Sequence, residues 1–406
     1  MSKTAVAGNW GEDIRSDCLV ELKTGSSGGL KMNLESKVER LYGSHMHSLV
    51  NEILTFFGIR HAKISIYDSG SLDFVLAART EAAIRQLIDA DKEYLLPVLP
   101  GNMEPTYPGR FRFTRLYLPG NTPKLMLNAG VHKPNAIILD LEDSVAPDKK
   151  QEARFLVRNA LRQVSFMQAE RMVRINQLPS GLEDLDFIIP HYPHVILIPK
   201  TESIEQVQQV DKRIISIKKK HNRDHPVFLM PIIESALGVE HAFLIAAASP
   251  NNIAMTVGLE DYTADIGVKR TREGQESLYA RMRIVNACKA AGIQPIDSVY
   301  SDVSDLEGLK DTVVNSRALG FEGMGCIHPR QISIVQECYK PGREEIEKAK
   351  EILLAYEEAE ARGLGVVSLG SKMIDKPVVK RAMATIELAK KMNILEEDWR
   401  SNYDNK

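Results

Sequence analysis

Beyond residue 111 the chain repeats one rhythm: a short apolar run, a charged or glycine-bearing ending, then a longer stretch compatible with helix. The runs are FRFTRLYLPG, AIILDLEDSV, RMVRINQ, HVILIPKTES, VFLMPIIES, IAMTVGLED, IQPIDSVYSD and FEGMGCIHP. Apolar runs of this length bounded by turn signals predict buried strands, and strands alternating with helices make parallel βα units. Eight units predict an α/β fold, a (β/α)8 barrel of the TIM type, over 112–340.

Upstream the pattern changes. CLVELKT (18–24) and GLKMNLES (29–36) alternate apolar and polar positions around a Gly/Ser turn, which predicts a hairpin. Val38, Leu41, Met46, Leu49, Val50, Ile53 and Leu54 recur mostly at three and four, predicting a helix to about Phe57, with Ser36 and Glu39 spaced as its capping box. AKISIYDSGSLDFVL predicts a second hairpin around Ser69 and Gly70, and a second helix runs from about Thr80 to Ala90. Residues 1–91 therefore form a small α+β domain. Between 92 and 111, Pro97, Pro100, Pro105 and Pro108 favour an extended linker, which at about 3.1 Å per residue reaches ~60 Å. Residues 341–406 are charged and largely helix-forming, interrupted by GLGVVSLGSKMIDKPVV, and predict a C-terminal helical extension acting as a lid or a subunit contact.

Composition narrows the function. With 44% hydrophobic residues in 406, the chain can bury a full-sized core and a smaller one besides. A formal net charge of -2 with scattered Lys and Arg gives no electrostatic case for nucleic acid or an anionic membrane. Cys18, Cys288, Cys326 and Cys338 form no C-x-x-C pair and read as ordinary buried thiols in a reducing compartment. The N-terminus lacks a signal-peptide core and no run approaches the ~20 apolar residues of a membrane span, so the expected location is cytoplasmic.

Reactive groups of such barrels sit at the C-terminal ends of strands. Reading those ends gives Arg115; Asp140, Glu142 and Asp143; Arg174 and Asn176; Lys200; Glu234 and Ser235; Glu260 and Asp261; Asp297 and Asp302; and His328. So many carboxylates facing one cavity would repel and take up protons unless cations neutralise them. A divalent metal and two arginines would do so, and oxygen-only ligands suit Mg2+. Lys200 reads as an ion-pair partner of the acids rather than a Schiff-base lysine, and His328, before Pro329, as a backbone-bonding turn residue. Lys149 and Arg154 are expected to brace the AIILDLEDSV loop by salt bridges.

The motifs RLYLPGNTPKLMLNAG, ILDLEDSVAPDKKQEAR, VRIN, LIPKTES, IIESALGVEHA, VGLEDYTADIG, AAGIQPIDSVYSDVSDLEGL and ALGFEGMGCIHPRQI resemble, in order, the citrate lyase β subunit and its relatives, the acyl-thioester lyases of the HpcH/HpaI aldolase/citrate lyase family. GLGVVSLGSKMIDKPVVKRA is similar to the tail of that subunit, and the resemblance covers about 112–390. In the N-terminal domain AVAG, Ser16-Asp17, KVERLYG and YDSGSLDFVLAARTEAAIRQL resemble the citrate lyase γ subunit, the acyl carrier. In that family a serine in a Glu-Ser-x-Asp context bears a phosphoribosyl-dephospho-CoA arm. Here Ile14-Arg15-Ser16-Asp17 places Arg15 at the family's serine when aligned on Asp17, which leaves Ser16 as the candidate attachment site.

The resemblance implies cleavage of a 3-hydroxy-acyl thioester, citryl thioester foremost, into an acetyl thioester and oxaloacetate. It implies Mg2+ on Glu234 and Asp261, Arg174 clamping a substrate carboxylate, and Arg115 at the thioester carbonyl. Glu142 or Asp143 would be the acid/base. Expected partners are a CoA- or carrier-bound acyl thioester, a separate α-like acyl transferase subunit and further copies of the chain in a trimer or hexamer. Alternatives are a citramalyl- or malyl-thioester lyase, and a scaffold subunit of a multisubunit lyase.

Overall fold

The structure, a computed structural model, describes residues 4–361, 367–369 and 372–400. The expectations for 362–366, 370–371 and 401–406 lie outside the described residues. Two compact units divide the chain at Val335–Gln336.

The first unit opens with a four-stranded sheet: β1 (Thr4–Gly8), β2 (Cys18–Thr24), β3 (Leu30–Ser36) and β4 (Ala62–Asp68), ordered β1-β2-β4-β3. The predicted hairpin of β2 and β3 does not form. β4 lies between them, antiparallel to β2 and parallel to β3, and α1 (Glu39–Phe56) makes the crossover that a parallel pair requires. The second predicted hairpin fails as well, because the chain turns after Asp68 and enters α2 (Asp73–Arg85). The capping box is also absent: the Ser36 hydroxyl donates to Asp68 (2.6 Å), and Val38 occupies the N-cap position without a side-chain bond.

The eight predicted barrel strands all form. They are β5 (Thr114–Pro119), β6 (Ala136–Asp140), β7 (Glu170–Arg174), β8 (Val195–Ile198), β9 (Phe228–Ile233), β10 (Ala254–Val257), β11 (Gln294–Ile296) and β12 (Met324–Cys326). All pair in parallel, in the order β11-β10-β9-β8-β7-β6-β5-β12, and an Asp297–Met324 bridge joins the two ends. Ala136, Ile138, Met172, Leu197, Met230 and Ile232 belong to its packed apolar core. The outer layer comprises α3 (Pro123–Leu127), α4 (Lys150–Gln163), α5 (Gly181–Ile188), α6 (Ile204–Lys220), α7 (Ala236–Glu240), α8 (Ala242–Ala246), α9 (Leu259–Asp265), α10 (Leu278–Ala291), α11 (Leu306–Leu319) and α12 (Arg330–Tyr339).

The N-terminal sheet domain does not hang from this barrel on a free tether. α2 lies on α4, and every residue from Phe74 to Ile84 and from Glu152 to Arg162 is buried. Polar side chains inside that seam are paired: Arg158 with Glu81 (2.7 Å) and Glu93 (2.9 Å), and Arg79 with Asp17 (2.9 Å) and Glu152 (3.4 Å). The proline-rich segment is stapled to the barrel. The Arg162 guanidinium donates to the Leu96 carbonyl (2.7 Å), Asn102 donates to the Leu161 and Val164 carbonyls (both 2.9 Å), and the Thr106 hydroxyl donates to Glu170 (2.5 Å). Arg112 then forms a fully buried fork with Glu170 at the start of β7.

The second unit packs α13 (Arg343–Ala361) and α14 (Lys376–Lys391) around Ile346, Leu353, Val379, Ile386 and Trp399. A short antiparallel pair, β13 (Val367–Leu369) and β14 (Lys372–Ile374), stands between them in sequence, and Asp375 caps α14 by accepting the Val378 N–H (3.1 Å). Among the described residues no helix is long and apolar enough to cross a membrane.

Candidate functional site

The three carboxylates after β6 have three different surroundings. Asp140 is buried, and its carboxylate accepts the N–H groups of Glu142 (3.0 Å) and Ser144 (3.2 Å), folding the chain back on itself. Glu142 is buried by that fold, whereas Asp143 is exposed. The register pairs Asp140 with Arg174, whose Nε and Nη2 donate to its two oxygens at 2.6 and 2.8 Å. The remaining Nη1 lies 2.8 Å from Glu142 and 3.6 Å from Asp143. Burial would raise the Asp140 carboxyl, but Arg174 outweighs it and holds Asp140 below its ordinary range. From residue order alone the Arg174 fork is expected on a substrate carboxylate. The structure gives it to Asp140, because the two residues end adjacent parallel strands in register.

β9 and β10 supply the opposite wall. Glu234 is buried and accepts the Lys200 backbone N–H at 2.7 Å. Gly258 leaves room for it: a Cβ there would stand 2.5 Å from Glu234 Oε2. Asp261, in the first turn of α9, is half-exposed. The Lys200 ammonium sits 3.8 Å from Asp261 and 3.9 Å from Glu142, so it is an ion-pair partner of the acids, as its position predicts. Burial, with Asp261 and Glu142 adding to it, pushes Glu234 up to about 8. Burial likewise pushes Glu142 up to about 7, with Asp143 adding to it against Arg174 and Lys200. Carboxyls this costly to ionise gain most from a nearby cation.

Arg115 is not at a strand end. It is the second residue of β5, and its long side chain rises through the barrel interior, with Nη1 3.0 Å from Met230 Sδ and Nη2 3.1 Å from Thr256 Oγ1. Two residues on and facing the same way, Tyr117 lies under the Arg174 guanidinium, 5.3 Å from ring centroid to carbon. Tyr117 and Thr256 were not among the expected site residues. The two-residue alternation Arg115, Tyr117 was the available signal.

Arg115, Tyr117, Arg174 and Asp261 line a cavity of about 470 Å³. A neighbouring lobe of about 610 Å³ shares Leu259, Glu260, Asp297 and Ser298 with it, and a cavity of about 330 Å³ on the other side of Asp261 is lined by Lys200 and Glu234. The other strand-end groups have local duties. Asn176 bonds Asp184, Glu260 pairs with Arg270, Asp297 pairs with Arg281, Asp302 accepts from Ser304, and His328 Nδ1 accepts the Arg330 N–H. Lys149 pairs with Glu152, and Arg154 with Asp184 and Glu183, so neither braces the acidic loop. Lys150 does so, donating to the Leu141 (2.7 Å) and Glu142 carbonyls.

Among the described residues no three His, Cys, Asp or Glu side chains converge on one point. Glu234 and Asp261 instead form a two-carboxylate, oxygen-only wall around the Lys200 charge, which fits a hard cation that keeps waters and substrate oxygens as its other ligands. Ser16 stands elsewhere, in the β1–β2 loop at φ +57°, half-buried, with its N–H on the Ser69 carbonyl (2.9 Å).

Residues 114–329 match the family described as HpcH/HpaI aldolase/citrate lyase. Residues 2–87 match the acyl-carrier family described as malonate decarboxylase delta subunit (MdcD). The chain is 39% identical over 284 residues to citrate lyase subunit beta of Haemophilus influenzae, covering 69% of this chain and 98% of that one. It is 35% identical to mitochondrial citramalyl-CoA lyase of Homo sapiens, covering 68% and 84% respectively. Among solved structures it resembles protein CitE of Mycobacterium tuberculosis in complex with magnesium, acetoacetate and coenzyme A, at 28% identity and a TM-score of 0.58, covering 69% of this chain and 98% of that one. Family, fold and strand-end acids agree: the chain is a lyase belonging to the HpcH/HpaI aldolase/citrate lyase family, with an acyl-carrier-like domain at its N-terminus.

Proposed function

We propose that the chain cleaves a 3-hydroxy-acyl thioester, citryl thioester foremost, into an acetyl thioester and oxaloacetate, with Mg2+ held by Glu234 and Asp261. The observation that carries this is the Lys200 ammonium lying against both Glu142 and Asp261, with Arg174 on Glu142 and Glu234 on the Lys200 backbone N–H, beside a cavity lined by Arg115, Arg174 and Asp261. The relatives named for citrate lyase and citramalyl-CoA lyase, and the magnesium complex of CitE, support it. When bound, the cation would supply charge that lowers the pKa of a substrate hydroxyl and orients it.

The chain's own residues do the rest. The substrate hydroxyl loses its proton, the bond between hydroxyl-bearing and α carbons breaks, and the electron pair passes to the thioester as an enolate that takes up a proton. Glu142, poised near neutrality, is the group that accepts and returns that proton, with Asp143 beside it. The Arg115 guanidinium faces the enolate oxygen from the barrel interior. Arg174, locked on Asp140, keeps Glu142 in place and presents Nη1 to the cavity. Ser16 carries the phosphoribosyl-dephospho-CoA-type arm, which a separate acyl transferase loads, and the chain assembles with further copies of itself in the cytoplasm.

The similarity to citramalyl-CoA lyase favours one second reading, a methyl-bearing substrate on free CoA. Purified protein given citryl-, citramalyl- and malyl-CoA with and without Mg2+ separates the two by kcat/KM. Asp261→Ala should abolish metal-dependent cleavage of the preferred substrate with the fold intact, and retained turnover would overturn the metal assignment.

A further inference from the structure

The loop that bears Ser16 is tied to the mouth side of the barrel. Its last residue, Asp17, is buried and accepts Arg79 Nε (3.0 Å) and Nη2 (2.9 Å). The same fully buried guanidinium donates through Nη1 to the Asn121 side chain (2.6 Å) and through Nη2 to the Asn121 carbonyl (3.3 Å). Asn121 lies two residues past the C-terminal end of β5, and Glu152, also paired with Arg79, sits in the first turn of α4. Both are rim positions on the face where Glu142 and Arg174 stand.

A second bond fixes the other stem of the loop. Gly8, the last residue of β1, donates its N–H to Glu152 (2.6 Å), and Lys149 reaches the Gly8 carbonyl (3.3 Å). Gly8 has φ +94°, and a Cβ there would collide with the Cys18 carbonyl, so only glycine brings this strand end against α4. For the domain to leave the barrel, the Arg79–Glu152 and Arg158–Glu81 pairs and the Arg79–Asn121 bonds would all have to be parted, and the buried seam between α2 and α4 opened to water.

We propose that the N-terminal domain is a docked carrier, in which an acyl arm on Ser16 serves the mouth of its own barrel and Arg79 is the residue that positions it. This rests on the carrier role of Ser16 given above. A docked base turns delivery into an intramolecular step at fixed high effective concentration, with only the arm in motion.

The test uses two full-length variants co-expressed with different tags: Ser16→Ala, with an intact barrel and no arm, and Asp261→Asn, with an arm and a blocked barrel. The arm of the second is S-acetylated with acetic anhydride, oxaloacetate and Mg2+ are added, and the Ser16 peptide is weighed. Condensation on the acetyl methyl would convert acetyl to citryl on the arm. Wild type should convert, and the arm of the Asp261→Asn chain should stay acetylated even with Ser16→Ala chains in tenfold excess. Conversion of that arm in the mixture overturns docking in cis. An unmodified Ser16 peptide in wild-type protein isolated from the native host overturns the carrier role itself, a separate measurement on a separate sample.

For Arg79, the Arg79→Met chain should convert its own arm at least tenfold more slowly while its kcat/KM on the preferred free CoA thioester stays within twofold of wild type. Equal losses on both would show a merely structural role. Should that chain fail to fold, Asn121→Ala, which removes one bond of the same guanidinium, is read in the same way.

Discussion

Arg158 offers the sharpest test of how the two folds are joined. It comes from α4, has no exposed side-chain surface, and binds Glu81, which has none either, together with the partly exposed Glu93. Burial alone would depress the guanidinium, yet Glu81 and Glu93 outweigh it and hold it firmly charged. Burial keeps the Glu81 carboxyl above its ordinary range even with Arg158 beside it. In Arg158→Met the carboxyl loses its counter-charge without regaining water, and stability should fall by about 3–5 kcal/mol. For a chain this long a urea slope of roughly 3 kcal/mol per molar converts that into a midpoint about 1–1.7 M lower. The double variant Arg158→Met/Glu81→Leu should recover most of the loss, since an apolar pair can replace a buried ion pair at little cost, and Glu93 keeps its solvent. Urea unfolding of wild type, both singles and the double, followed by fluorescence and circular dichroism, gives the coupling energy. A single-variant loss below about 1 kcal/mol, or a double as unstable as the summed singles, would refute the sealed seam.

Three further outcomes follow from the mouth. Gly258→Ala should push the Glu234 carboxylate aside, since its Cβ falls 2.5 Å from Oε2, and weaken Mg2+ binding at least tenfold, about 1.4 kcal/mol, in a calorimetric titration with the secondary structure unchanged. Unaltered affinity would mean that Glu234 is not a ligand. Because a raised carboxyl must lose its proton to bind a cation, Mg2+ affinity should rise with pH. With Glu234 near 8 the gain from pH 6 to pH 8 is about 50-fold, with about one proton released per cation at pH 6; a flat profile removes Glu234 from the site. Arg174→Lys should lower kcat/KM at least 100-fold, because an ammonium cannot reproduce the two bonds that fix Asp140, and turnover within threefold of wild type would reduce that fork to an ornament of the loop.

How far the sequence led depends on which interactions are local. Each barrel strand is an apolar run with its own ending, and a parallel neighbour needs only another such run, so eight could be read one at a time. The pairing of β3 with β4 across α1 could not, because a Gly/Ser turn between two alternating segments reads as a hairpin whatever strand later inserts. α2 began seven residues earlier than expected because DFVLAAR is apolar enough for either period, and the helix is buried nearly all round. Arg79, Glu81 and Arg158 look like surface charges until the opposite helix is in place. At the mouth, Glu142, Glu234 and Asp261 follow directly from strand ends. The Asp140–Arg174 fork depended on inter-strand register, and the inward course of Arg115 on side-chain reach, neither of which residue order displays.

Asp297 adds a last consequence. Its backbone closes the ring, with its N–H on the Gly323 carbonyl (2.8 Å) and its carbonyl accepting Gly325 N–H (3.3 Å), and that carbonyl also lies 3.5 Å from Arg115 Nη2, while its carboxylate holds Arg281. Strands of three residues meet there, so one amino acid is the keystone of the arch and a wall stone of the reaction chamber. The buried guanidinium of the chamber therefore touches the closure of the ring itself, and the joint that completes the barrel is also part of the surface that the barrel encloses.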